Sequence, residues 1–150
     1  MDFEKLLKKV EDIINKDGER EEKLEKITKL LKEKVPHYDW VGFYLAGEEQ
    51  GMLYLGPFAG EPTEHVKIPF GSGICGQAAE REMTFIVQDV SKETNYLPCS
   101  PDVKSEIVVP IMKGKKLIGE IDIDSHQISP FTEKDRKFLE RIAELVANLF

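Results

Sequence analysis

Ile118-Gly119-Glu120-Ile121-Asp122-Ile123-Asp124-Ser125 alternates with a period of two, which sets Gly119, Ile121 and Ile123 on one strand face and Glu120, Asp122 and Asp124 on the other. Carboxylates two apart on one face repel, and strand propensity disfavours them. A solvated sheet face would tolerate that pattern. Working outward, Lys113-Gly114-Lys115 is a hairpin signal that joins a strand at 116–124 to an earlier one at 106–112. The earlier run, Ser105-Glu106-Ile107-Val108-Val109-Pro110, brings a further carboxylate to the neighbourhood. Acids clustered on adjacent strands call for a cation, and a substrate ammonium would serve.

The remaining elements fit around this hairpin. Phe3, Leu6, Leu7, Val10, Ile13 and Ile14 follow helical spacing behind Asp2, a fitting N-cap, and Asp17-Gly18 ends the run. A second helix is predicted over 19–35, with Leu24, Ile27, Leu30 and Leu31 inward and Pro36 as its stop. Its lysines and glutamates read as a solvated face. Strand signals follow at 40–45, 52–58, 66–68 and 84–87. Gly71-Ser72-Gly73 reads as a turn that opens a short helix, with an anion site at its N-terminus as one use. Residues 88–102 read as a loop, and Thr132 caps a closing helix striped with Phe138, Leu139, Ile142, Leu145, Val146 and Leu149. Strands in hairpins flanked by helices predict an α+β fold, a central antiparallel sheet with N-terminal and C-terminal helices, in one domain over 1–150.

Composition narrows the function. A formal net charge of −7 in 150 residues argues against nucleic acid and anionic membranes as partners. No apolar run approaches a membrane span, and Met1-Asp2-Phe3-Glu4 lacks a signal-peptide pattern, so the expected location is cytoplasmic. Cys75 and Cys99 are too few for a secreted disulfide scaffold. Two buried small hydrophobes, one buried and one incidental thiol, or a redox pair are the readings they leave open. His37, His65 and His126 show no ligand spacing with the cysteines, so neither a metal site nor a cofactor is expected. Trp40 and Tyr44 share a strand face and serve either as core or as pocket aromatics.

Trp40-Val41-Gly42-Phe43-Tyr44, Leu55-Gly56-Pro57-Phe58, Gly71-x-Gly73-x-Cys75-Gly76, Ser105-Glu106-Ile107-Val108-Val109-Pro110 and Ile121-Asp122-Ile123-Asp124-Ser125 occur in that order. From about residue 10 to the C-terminus, the chain resembles the stand-alone GAF-domain family of free methionine-(R)-sulfoxide reductases. The resemblance implies a GAF-like fold and thiol-dependent reduction of free methionine sulfoxide. Cys99 carries over as the nucleophile and Cys75 as the thiol that condenses with its sulfenic acid. Glu106, Asp122 and Asp124 match the substrate-pocket acids, and Trp40 and Tyr44 the pocket aromatics. A thioredoxin-like reductant and a homodimer through the terminal helices are implied likewise. Two departures stand out: His65 replaces a third cysteine common in the family, and Asn95-Tyr96-Leu97-Pro98 replaces a Gly-His-Ile-Ala loop. Clustered acids raise one another's pKa, so one can stay protonated and donate to the departing oxygen. They also raise the pKa of a nearby thiol, which a bound ammonium would offset. A non-catalytic GAF domain that binds an amino-acid-like ligand, and a structural module, are the alternative readings.

Overall fold

The computed structural model describes residues 1–97 and 100–150. Its helices and strands run α1 (Phe3–Asn15), α2 (Arg20–Lys34), β1 (Trp40–Ala46), β2 (Met52–Ala59), β3 (Lys67–Pro69), α3 (Gly73–Arg81), β4 (Phe85–Val87), β5 (Ser105–Lys113), β6 (Lys116–Ser125) and α4 (Glu133–Ala147). The strands form one sheet in the order β3-β2-β1-β6-β5-β4, with every neighbouring pair antiparallel. The α+β expectation holds. The predicted loop over 88–102 contains one short 3-10 turn, Val90–Lys92. Among the described residues no helix is long and apolar enough to cross a membrane.

Sequence alternation becomes two unlike sheet faces. One carries Val41, Phe43, Ile107, Val109, Ile121 and Ile123, packed under α1, α2 and α4 through Leu6, Val10, Leu24, Ile27, Leu31, Phe138, Leu139 and Ile142. Asp2 caps α1 by accepting from the Lys5 amide, as expected. At the start of α4, Thr132 and Asp135 cap each other in a reciprocal box. Asp135 Oδ1 also accepts from Tyr38 Oη at 2.8 Å and His37 Nε2 at 2.7 Å, which ties α4 to the entry of β1.

The opposite face holds the acids. Register aligns Trp40, Asp124 and Glu106 across β1, β6 and β5; one step along lie Gly42, Asp122 and Val108, and then Tyr44, Glu120 and Pro110. Of the two readings open for these carboxylates, a solvated face or an acid-lined site, the structure excludes the solvated face. Glu120 is fully buried, and Asp122 and Asp124 are each 2% exposed. Here α3 is the cover, packed through Ile74, Cys75, Ala78 and Ala79 beside Trp40, Tyr44 and Val108.

Candidate active site

The turn before α3 places Cys75. Gly71 and Gly73 take φ of +90° and +65°, backbone that side chains other than glycine rarely adopt. A Cβ on Gly76 would lie 2.5 Å from the Pro69 carbonyl oxygen, so only glycine lets α3 press against the end of β3. Asn95 locks the following loop to this turn: its Oδ1 accepts from the Gly73 amide and its Nδ2 donates to the Gly71 carbonyl. Gln77 Nε2 adds a bond to the Asn95 carbonyl. The Gly71 and Ser72 amides donate to the Gly76 and Pro69 carbonyls. All three turn amides are therefore engaged, and the anion site considered for Gly71-Ser72-Gly73 is not formed.

Cys75 ends up among the carboxyls. Its Sγ lies 3.7 Å from Glu106 Oε2, and one donor atom each from Cys75, Glu106 and Asp122 fall within 4.8 Å of one another. Burial pushes the Cys75 thiol well up, and the charges of Asp122, Glu120, Glu106 and Asp124 push it further. The Asp124 carboxyl is raised by burial and then by Asp122, against a hydrogen bond from Glu106. Asp122 is raised by burial, partly offset by hydrogen bonds with Glu106 and Cys75. Burial of several carboxyls together favours the protonated form of these groups. Glu120 is raised by burial and by Asp122, partly offset by its interaction with Cys75, and neither of its oxygens has a partner at regular hydrogen-bond geometry among the described residues.

Two spaces open on the acid face. A cleft of about 490 Å³ is lined by Trp40, Gly60, Glu61, Ser100, Asp124 and His126. Trp40 forms its wall, stacked on Phe58 with ring centres 5.5 Å apart and donating Nε1–H to the Glu61 carbonyl. The second, a small space of about 10 Å³, lies between Tyr44, His65, Cys75, Leu97, Glu106 and Asp122. Tyr44 Oη donates to the His65 carbonyl, so the residue at the third-cysteine position lines this space and anchors a pocket aromatic. Of the residues named from the sequence, Tyr44, Cys75, Glu106 and Asp122 line the small space and Trp40 and Asp124 the cleft, all at one sheet face. Cys99, the expected nucleophile, lies outside the described residues. Sequence reasoning left Glu120 off the site; the alternation placed it on the acid face, but no motif gave it a role.

The profile of the GAF domain family matches residues 19–150. The chain belongs to the GAF domain family, in the branch that contains the free methionine-R-sulfoxide reductases. It is 38% identical over 146 residues to GAF domain-containing protein A of Dictyostelium discoideum, covering 97% of this chain and 90% of that one. It is also 38% identical over 120 residues to the free methionine-R-sulfoxide reductase of Escherichia coli, covering 80% and 69%. The X-ray structure of free methionine-R-sulfoxide reductase from Neisseria meningitidis in complex with its substrate superposes with a TM-score of 0.93 at 33% identity, covering 99% and 87%.

Proposed function

We propose that this protein reduces free methionine-(R)-sulfoxide to methionine. The observation that carries the reading is the burial of Cys75, Glu106, Asp122 and Asp124 at the sheet face that also carries Trp40 and Tyr44, in a chain whose relatives include named reductases of that substrate. In the proposed reaction the Cys99 thiolate attacks the sulfoxide sulfur, and a protonated carboxyl of the cluster donates to the oxygen. The oxygen transfers to Cys99 as a sulfenic acid, and the two-electron-reduced thioether, methionine, leaves. Cys75 then attacks the sulfenic sulfur, forming the Cys75–Cys99 disulfide; its thiol proton and the sulfenic hydroxyl leave as water. A dithiol of the thioredoxin type returns two electrons and two protons and restores both thiols.

The carboxyls have two tasks in this scheme. Those that keep a proton supply it to oxygen, and those that ionise hold the substrate's α-ammonium through charge-assisted hydrogen bonds. Exclusion of peptide-bound methionine sulfoxide follows, because an amide nitrogen carries no charge. Burial keeps Cys75 a thiol until the sulfenic acid forms, which spares it from wasteful oxidation.

A single turnover without external reductant tests the scheme. Reduced protein mixed with an equimolar amount of methionine-(R)-sulfoxide should lose both thiols, release methionine and show a peptide linked through Cys75 and Cys99. A stable sulfenic acid on Cys99 with Cys75 still free would contradict the recycling step.

A further inference from the structure

Cys75 lies beside a small space of about 10 Å³, too small for any amino acid and about the size of one atom or one water. Its donor-atom geometry suits a metal ion. Zinc bonds sulfur at about 2.3 Å and oxygen at about 2.0–2.2 Å, which at a tetrahedral angle separates the two donors by about 3.5 Å. Cys75 Sγ and Glu106 Oε2 stand 3.7 Å apart, and an Asp122 oxygen completes the trio within 4.8 Å.

A second observation is independent of that spacing. Asp122 Oδ1 and both oxygens of Glu120 are buried with no regular hydrogen-bond partner among the described residues. Buried acceptors without a donor are costly, and a cation satisfies several at once. Glu120 sits two residues before Asp122 on the same strand face.

We propose that the reduced protein binds one zinc-class cation between Cys75, Glu106 and Asp122. Sulfur in the donor set selects zinc or cadmium over magnesium and calcium, which take oxygen ligands. Three protein donors leave one tetrahedral position for water or for Glu120. Binding displaces the thiol proton into solvent. On the proposed reductase reading, the ion would also compete with substrate, since it engages carboxyls that hold the ammonium and the sulfur that closes the cycle. The binding site itself does not depend on that reading.

Cadmium serves as the spectroscopic probe, titrated into the full chain kept reduced by a phosphine, with no sulfoxide present. A sulfur-to-cadmium charge-transfer band should saturate at one equivalent, in wild type and in Cys99→Ser alike. Cys75→Ser should lose the band. Glu106→Gln and Asp122→Asn should each weaken binding by at least the roughly tenfold that loss of an outer-sphere partner costs. Zinc should raise the melting temperature of wild type but not that of Cys75→Ser, whose own cooperative melt shows that it is folded. A band that survives Cys75→Ser, disappears in Cys99→Ser or ignores both carboxyl substitutions would overturn the proposal.

Discussion

Asp124 lines the larger cleft beside Trp40, while Asp122, two residues earlier, lines the small space beside Cys75. One strand face thus borders two separate spaces. Asp124→Asn keeps the shape and removes a charge. A hydrogen bond to a charged group is worth about 1.5–3 kcal/mol, so affinity for methionine-(R)-sulfoxide should fall about 10- to 150-fold. Calorimetry in a Cys99→Ser background measures this without turnover; unchanged affinity would remove Asp124 from the ammonium site. Period-two alternation made the membership of this face legible in the sequence. Its burial was not legible, because strand propensity prices an exposed acid and says nothing of the cover supplied by α3. Glu120 shows the same limit: its position could be read, but the absence of regular hydrogen bonds to its carboxyl appears only in three dimensions.

Element-level features divide in the same way. α1, α2, α4 and the β5–β6 hairpin follow from apolar periodicity, caps and the Lys113-Gly114-Lys115 turn, with ends shifted by a residue or so. The Asn95 bridge between the loop and the glycine turn spans 22 residues, and no local pattern announces it. Nor does spacing reveal the clamp at α4, where Asp135 receives His37 and Tyr38 from almost 100 residues earlier. Burial works to raise the Asp135 pKa, but hydrogen bonds from His37, Thr132 and Tyr38 outweigh it and hold the carboxyl below its usual range. Asp135→Asn keeps the size but presents an amide donor where a carboxylate accepted, so at least one buried bond is lost. Denaturant unfolding should show a loss of about 2–3 kcal/mol. Sulfoxide affinity should be unaltered, since α4 lies across the sheet from the acid face. A variant as stable as wild type would show the clamp to be idle.

Across the whole molecule these two groups of acids oppose each other in their pH dependence. Glu120, Asp122 and Asp124 have folded-state pKa values raised above those of the unfolded chain. The stability they contribute is fully present below the ordinary carboxylate range and is lost as pH rises toward their raised values. Asp135 has the opposite sign: its contribution is present above the ordinary range and is lost as pH falls through its depressed value. The melting temperature should therefore fall as pH rises above the ordinary carboxylate range, and Glu120→Gln should flatten that slope. A slope unchanged in the variant would show that Glu120 is not among the groups that set it. Substrate ammonium should recover part of the loss at the alkaline end, because it compensates the charges that burial opposes.

Methionine release from free methionine-(R)-sulfoxide, with dithiothreitol as reductant, tests the proposed activity most directly. Dithiothreitol regenerates the thiol itself, so the result does not depend on Cys75 or on the reductant used in the cell. Wild type should turn over the R epimer and Cys99→Ser should not, while still binding it. A wild-type protein that binds the sulfoxide and releases no methionine would contradict the reductase and leave a ligand-binding GAF domain.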